Sequence, residues 1–380
     1  MSVTAPLTSV QRWMFIMQSG PVYRVPVVFD MNDGRADDEV RHALRAALAA
    51  SPTLCARYGY DATRDEFFQV YDPELADGIE IVDAGSIADA ADLDGYCRRR
   101  CHMPDLASGA PLTARLLRVG GRRVLHLEFH HIAMDGVGIA LFERLLAGSP
   151  APGHISDPAE AFAVYDEVAA KEQAAEWIDT ERFSLAPFLP PAAGQTAGPA
   201  TVGRESVRID AAGIAALRRA AARHRVFPRV LLQAAFEESL ARFAPGSRYS
   251  CVTNWRWSIA RREAIGSFPA LVDRPVGEPA SLRSRIDALV TAHGSPLVCP
   301  EHRLDDRPTV VFSHEQLGFD SCRFIPADEY PRFELYLRVV VDHDECLVEA
   351  EYDRRVVVGS IAKAVVEDVA AASRSKEETP

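Results

Sequence analysis

The chain has 380 residues, with 42 Lys and Arg against 54 Asp and Glu, which gives a net charge of -12. This acidic balance argues against nucleic acid or an anionic membrane as the main partner, because both carry negative charge. Hydrophobic residues make up 48% of the sequence, which is enough for the cores of two ordinary domains.

The cysteines and the N-terminus indicate the compartment. Seven cysteines are scattered through the chain, with no apolar leader and no membrane-length segment. This pattern predicts reduced thiols in a soluble, cytoplasmic protein. Cys97, Cys101 and His102 could resemble metal ligands, but the three arginines at 98–100 would repel a cation. No metal site is therefore expected.

Hydrophobic periodicity divides the first half into helices and strands. The predicted helices cover residues 7–15, 37–48, 86–101, 137–146 and 157–172. The predicted strands cover residues 23–31, 56–60, 66–71, 111–119 and 122–131. Thr8 or Ser9 is expected to cap the first helix. Gly120 and Gly121 supply the positive backbone angles of a tight turn between the last two strands.

A stretch rich in Pro, Ala and Gly at residues 188–203 predicts a linker. It separates a first lobe, residues 1–187, from a second lobe, residues 204–380. The predicted helices of the second lobe cover residues 211–223, 227–243, 281–291 and 360–372. Its predicted strands cover residues 205–209, 248–255, 309–313, 333–341 and 347–352. Both lobes are therefore predicted to be α+β.

The strand at 122–131 ends in two adjacent histidines. Leu125, Phe129 and His131 alternate onto one face, so His131 should be half-buried, where a neutral imidazole is favoured. His130 alternates onto the opposite face and is expected to be structural. A histidine at a turn between a strand and a helix is well placed to act as a general base.

Asp135 and Gly136 follow the pair and complete the pattern H-H-x-x-x-D-G. This motif resembles the signature of the condensation-domain and chloramphenicol-acetyltransferase superfamily. The resemblance implies an α+β fold of two chloramphenicol-acetyltransferase-like lobes, each a mixed sheet flanked by helices, in a V-shaped pseudo-dimer. It also implies a tunnel between the lobes, where a pantetheine thioester meets its acceptor.

The second half carries a matching arginine. Arg256 precedes the sequence I-G-S-F at residues 265–268 by the spacing of condensation domains, in which that arginine pairs with the motif aspartate. Carried over, Arg256 would bind Asp135 and tie the second lobe to the first, so that Asp135 is structural. His131 would then be the catalytic base. The N–H of Gly136 would be a donor to the oxyanion.

Further candidates flank these residues. Trp255 and Trp257 are candidates for an acceptor pocket, with simple packing as the alternative. Ser313 and His314 are candidates for orienting the acceptor, with an ordinary strand-end loop as the alternative. The family's Arg-His pair after the second helix and its Asn after I-G-x-F are both missing here.

The sequence thus predicts an ester- or amide-forming acyltransferase of secondary metabolism. It would move an acyl group from a pantetheine thioester, on a carrier protein or CoA, to an amine or hydroxyl acceptor, without a permanently bound cofactor. Basic residues at 98–100 and 218–229 would steer an acidic carrier or CoA, or form solvated helix faces. An epimerase or cyclase on the same scaffold, and a degenerate carrier-protein docking module, remain alternatives. Two lobes in one chain can complete the site, so a monomer is expected.

Overall fold

The structure is a computed structural model. It describes residues 3–18, 23–79, 81–87, 90–99, 105–178, 185, 188–189, 201–278, 280–291, 297–298, 310–317, 322–325, 331–342 and 345–374. Among the described residues, no helix is both long and apolar enough to cross a membrane.

The strands, in chain order, are β1 Thr4–Pro6, β2 Arg24–Asp30, β3 Ala56–Asp61, β4 Glu66–Tyr71, β5 Ile81–Ile87, β6 Leu112–Val119, β7 Arg122–His130, β8 Trp177–Ile178, β9 Val202–Ile209, β10 Arg248–Asn254, β11 Pro269–Pro275, β12 Leu297–Val298, β13 Val310–Leu317, β14 Cys322–Phe324, β15 Leu335–Asp342 and β16 Glu345–Asp353. The α-helices are α1 Ser9–Ile16, α2 Asp37–Ala49, α3 Glu74–Gly78, α4 Ala90–Arg99, α5 Gly136–Leu146, α6 Pro158–Gln173, α7 Ala211–His224, α8 Pro228–Phe243, α9 Leu282–Thr291 and α10 Gly359–Ala371. Short 3-10 helices lie at Pro52–Cys55, Trp255–Trp257 and Ala372–Arg374.

The chain forms two compact units, neither of which is one continuous segment. The first unit comprises Met1–Ala174, Asn254–Pro269 and Gly318–Asp328. The second comprises Ala175–Thr253, Ala270–Leu317 and Glu329–Pro380.

The predicted lobe boundaries do not anticipate this interleaving, and the division into 1–187, 188–203 and 204–380 stays a prediction. Residues 190–200 of the predicted linker lie outside the described residues, and β9 begins within its last two positions.

The first unit contains a five-stranded mixed sheet of order β14-β2-β7-β6-β5 and a three-stranded sheet of order β1-β4-β3. β7 pairs antiparallel with β2 on one side and with β6 on the other, whereas β5 runs parallel to β6. The predicted hairpin between β6 and β7 is therefore confirmed, and it places β7 in the middle of its sheet. Because β7 is central, its last residue, His130, is buried at 3% exposure.

The second unit is built on an eight-stranded mixed sheet of order β8-β12-β11-β10-β13-β15-β16-β9. β13 runs parallel to both β10 and β15, while β16 is antiparallel to β15 and β9. Helices α8 and α10 pack beside it, with Phe236 of α8 stacked 5.3 Å from Phe312 of β13. Mixed sheets flanked by helices in both units confirm the predicted fold class.

Two strands that carry candidate site residues, β7 and β13, end at residues other than the predicted ones. β7 ends at His130, one residue early, so His131 lies in the turn that follows rather than on the strand. β13 extends to Leu317, four residues beyond the predicted end, because it pairs with β15 along its whole length. Ser313 was predicted on this strand and lies on it, whereas His314 was expected just beyond its end and is a strand residue as well, so the alternative of a strand-end loop is wrong for both.

Candidate active site

The turn after β7 holds the side chain of His131 in one orientation. Nδ1 of His131 lies 2.9 Å from the carbonyl oxygen of Met134. A carbonyl oxygen only accepts hydrogen bonds, so Nδ1 carries a proton and donates it, and in the neutral ring Nε2 is then the nitrogen with the lone pair. The backbone N–H of His131 donates to the carbonyl oxygen of Tyr23 at 2.7 Å, which ties the turn to the start of β2. The ring is half-buried, as predicted, and its basic nitrogen is Nε2.

His130 has a different environment from its neighbour. Its Nδ1 accepts a hydrogen bond from the N–H of Ile132 at 3.1 Å, so it shapes the turn from inside. Burial, together with the nearby His131, lowers the pKa of His130 to about 3. A ring that stays neutral and bonded to the backbone fits the structural role predicted for it.

Asp135 lies at the start of α5 and its carboxylate is saturated with donors. Oδ1 accepts from the N–H of Gly138 at 2.8 Å, which caps the helix. Arg256 donates from Nη2 to Oδ1 at 2.9 Å and from Nε to Oδ2 at 3.1 Å. Oδ2 also accepts from Asn254 Nδ2 at 3.1 Å and from the N–H of Phe268 at 3.3 Å.

These contacts set the protonation state of Asp135. Burial by itself would raise the pKa of the carboxyl group, but the charge and hydrogen bonds of Arg256 outweigh it and lower that pKa. A carboxylate engaged by five donors stays ionised and has no lone pair directed at a substrate. This arrangement supports the predicted structural role.

Arg256 is 3% exposed and uses all five of its N–H donors. Besides the two bonds to Asp135, Nη1 donates to the carbonyl oxygens of Arg262 at 2.9 Å and Ala264 at 2.5 Å. Nη2 donates to the carbonyl oxygen of Gly266 at 3.1 Å. The guanidinium therefore holds the loop after it as well as the motif aspartate.

The pair between Arg256 and Asp135 lies within one unit. Arg256 belongs to the segment Asn254–Pro269, which is part of the first unit together with Asp135. The expectation that this pair ties one lobe to the other was therefore wrong. The physical reason is that the segment carrying Arg256 packs against the start of α5, where the Asp135 N–H donates to the Gly266 carbonyl oxygen at 3.0 Å.

Gly136, the predicted oxyanion donor, is the first residue of α5 and is partly exposed. The first N–H groups of a helix have no partner within the helix. The N–H of Asp135 donates to the carbonyl oxygen of Gly266, and the N–H groups of Gly138 and Ile139 donate to the side chain and the carbonyl oxygen of Asp135. Within the described part of the chain, the N–H of Gly136 has no acceptor and is available to a ligand.

Three residues with hydrogen bonds in this site were not predicted to belong to it. Asn254 bonds both Asp135 and, through Oδ1, the N–H of Arg256 at 2.8 Å. Gln11 donates from Nε2 to the carbonyl oxygen of Ile132 at 2.8 Å. Tyr165 accepts from the N–H of Ser267 at 3.3 Å.

A sequence signal exists for one of them. Gln11 stands three residues after Thr8, the spacing of a capping box, and that box is present in α1. The pattern explains its position in the helix but not its bond to the turn after β7, which requires the tertiary fold.

The remaining candidates lie in different environments. Trp255 is half-buried in the first unit, and of Trp257 only the backbone is described. Ser313 and His314 belong to β13 in the second unit, and Ser313 Oγ donates to Glu315 Oε1 at 3.3 Å. Burial, with a contribution from Arg229, lowers the pKa of His314 to about 4.

From the sequence, we expect no metal site at Cys97, Cys101 and His102. Cys101 and His102 lie outside the described residues. Cys97 is buried, and burial raises the pKa of its thiol to about 12, which disfavours the thiolate that a metal requires. Among the residues that the structure describes, no group of three or more His, Cys, Asp or Glu side chains could hold a metal ion.

The sequence resembles those of known proteins. A family model described as "Condensation domain" matches residues 1–256. A hybrid PKS-NRPS synthetase 1 from Dothistroma septosporum is 29% identical over 199 residues, which is 49% of this chain. The chain spans only 5% of the length of that curated relative.

Two solved structures show the same fold over nearly the whole chain. The first condensation domain of the calcium-dependent antibiotic synthetase, in complex with a substrate analogue, has a TM-score of 0.70 at 18% identity, covering 98% of both chains. The epimerization domain from the third module of tyrocidine synthetase B has a TM-score of 0.70 at 14% identity, covering 98% of this chain and 97% of the other.

Proposed function

The chain belongs to the condensation-domain family, and from this premise we propose that it is an acyltransferase with His131 as its general base. Condensation domains are typically amide- or ester-forming enzymes that act on phosphopantetheine-bound substrates of partner carrier domains. The proposed reaction moves an acyl group from a pantetheine thioester, on a carrier protein or CoA, to an amine or hydroxyl acceptor.

One observation carries the proposal: the hydrogen bond from His131 Nδ1 to the Met134 carbonyl leaves Nε2 as a basic nitrogen on a half-buried ring. A neutral imidazole in this tautomer can take a proton from an acceptor group as that group attacks. Tyr23 and Gln11 support the same turn through bonds to backbone atoms of His131 and Ile132.

The steps balance without any other reactant. The acceptor nitrogen or oxygen attacks the thioester carbon while Nε2 of His131 takes its proton, giving a tetrahedral oxyanion. The N–H of Gly136 donates to that oxyanion. Collapse re-forms the carbonyl and breaks the carbon–sulfur bond, and the imidazolium returns the proton to the departing pantetheine thiolate. Asp135 takes no proton at any stage.

Replacing His131 by Ala tests the proposal. We expect turnover to fall by about 10²- to 10⁴-fold, because that is the usual contribution of a general base. The thermal midpoint should stay close to that of the wild type, since the ring is only half-buried and makes one side-chain hydrogen bond. Product mass spectrometry with carrier-bound and CoA thioesters measures transfer as a mass gain on the acceptor.

The likeness to an epimerization domain supports a second candidate, in which His131 removes a proton from carbon. Deuterium uptake into the thioester without a mass gain on the acceptor would identify that reaction. Unchanged turnover in the His131→Ala variant would contradict both candidates and leave the motif structural, whereas a wild type without either activity would favour a docking module.

A further inference from the structure

A group of exposed arginines surrounds the turn between α7 and α8. From Ala211 to Arg229 the sequence holds five arginines and no acidic residue, in a chain whose net charge is -12. All five are exposed: Arg218, Arg219, Arg223, Arg225 and Arg229. We call them, together with Phe227, the α7–α8 patch.

The arginines of the patch differ from most others in the protein. Elsewhere many arginines pair with carboxylates, as Arg208 does with Glu345 and Arg242 with Asp368. In the part of the chain that the structure describes, none of the five patch arginines lies within ion-pairing distance of a carboxylate. The patch therefore presents positive charge that the folded chain leaves uncompensated.

Phe227 adds an apolar centre to this charge. Its side chain is 73% exposed, more than any other large hydrophobic residue in the described chain. It caps α8 through an extended backbone, and the next residue, Pro228, fixes the first turn of that helix. An exposed aromatic ring in the same short stretch as exposed arginines has the composition of a protein-binding surface.

The backbone at Arg225 gives an independent indication. Its φ of 57° lies in the left-handed region, which an arginine adopts only at an energetic cost. Its N–H donates to the Ala222 carbonyl oxygen at 3.1 Å, and the Val226 N–H donates to the Ala221 carbonyl oxygen at 3.0 Å, which ends α7. Glycine fits this position without strain, so the arginine is kept at a backbone cost that its favourable position at the helix C-terminus offsets only in part.

We propose that the α7–α8 patch docks the acidic surface of the carrier domain that delivers the acyl thioester. This inference rests on the proposed function and narrows it, because a carrier-bound donor is favoured over free CoA. Small ligands such as CoA are recognised in concave pockets, whereas an exposed ring on a helix-to-helix turn suits a protein surface. The acidic partner supplies the missing charge, and Phe227 supplies the apolar contact.

Two variants separate docking from folding. Arg225→Gly removes one charge and relieves the left-handed strain, so its thermal midpoint should equal or exceed that of the wild type. Phe227→Ala removes a ring that is mostly in water, so stability should also be kept. Arg45→Ala, an exposed arginine of α2, and Val290→Ala, an exposed residue of α9, are the matched controls.

The same acyl group is presented in two forms, on a phosphopantetheine-loaded carrier domain and on free pantetheine. For both patch variants we expect the KM for the carrier-bound donor to rise about tenfold, because each removes one contact of the proposed interface, a charge at Arg225 and an apolar ring at Phe227. Transfer from free pantetheine should be unchanged, and both controls should behave as the wild type does.

The other outcomes contradict the proposal. Equal kinetics of variants and wild type with the carrier would mean that the patch docks nothing, and a parallel loss with free pantetheine would mean that it acts on the site itself. If the wild type transfers from neither donor, the proposed function fails. Calorimetric titration with the loaded carrier then decides about the patch: binding weakened by Arg225→Gly supports docking, and no binding to the wild type overturns it.

Discussion

At the scale of single residues, two side chains of one motif, His131 and Asp135, have different roles in the candidate site. His131 is half-buried and keeps a bare Nε2, whereas Asp135 is buried and saturated by donors. The same short sequence therefore contains one group able to exchange a proton and one held permanently ionised. Arg256 creates that difference, since without its charge burial would raise the pKa of Asp135.

Replacing Arg256 by Gln should destabilise the protein by about 3–5 kcal/mol, because it leaves a buried carboxylate without its cation. Urea unfolding measures the free energy. Adding Asp135→Asn to Arg256→Gln should recover part of the loss, since the unpaired charge is then gone. Arg283→Gln breaks an exposed pair with Asp287 and should change stability by less than about 1 kcal/mol. Equal losses in the two single variants would contradict this account.

At the scale of elements, the start of α5 is packed against the loop that follows Arg256. A Cβ at Gly138 would lie 2.8 Å from Met134 Cγ and 3.1 Å from the carbonyl oxygen of Gly266. The glycine therefore permits the close approach that brings the Asp135 N–H to the same carbonyl. Met134 also accepts the hydrogen bond from His131, so the packing of α5 and the orientation of the imidazole depend on each other.

Gly138→Ala should accordingly cost about 1–3 kcal/mol, the usual range for overpacking, and should lower kcat more than it raises KM. The backbone of Gly266 cannot move away as a flexible side chain can, which makes relief of the clash incomplete. Gly277→Ala is the control, because a Cβ there meets no atom within 4 Å. Thermal unfolding and acyl-transfer kinetics of the two variants test this, and matching values would refute it.

At the scale of the whole molecule, buried histidines connect folding to pH. Burial lowers the pKa of His126 and of His130 to about 3, and that of His314 to about 4. In the unfolded chain a histidine titrates near pH 6.5. Below that pH the unfolded state binds protons that the folded state does not, so stability falls as the pH drops from about 6.5 toward 3.

His126 is fully buried in β7, and its share of this effect between pH 7 and pH 5 is about 2 kcal/mol. We therefore expect His126→Phe to reduce the loss of stability between these two pH values by about that amount. Glu172 and Glu237 act in the opposite sense, because burial raises their pKa, so the variant must be compared with the wild type at each pH. Parallel curves from urea unfolding would show that His126 does not titrate in this way.

The sequence by itself determined the α+β class, the β6–β7 hairpin, the half-burial of His131 and the family. These follow from local information: alternation along a strand, Gly-Gly at a turn, and a seven-residue motif with four specified residues. The Arg256–Asp135 pair was also found from spacing, with the help of the resemblance.

Only the tertiary structure decided that Asn254–Pro269 returns to the first unit, that Asn254 and Gln11 support the motif, and that Nδ1 of His131 is bonded to Met134. Each of these facts depends on where a distant segment crosses the start of α5 or on how one ring turns in its pocket. Periodicity records which face of a strand or helix is buried, but not which remote backbone atom completes a hydrogen bond there.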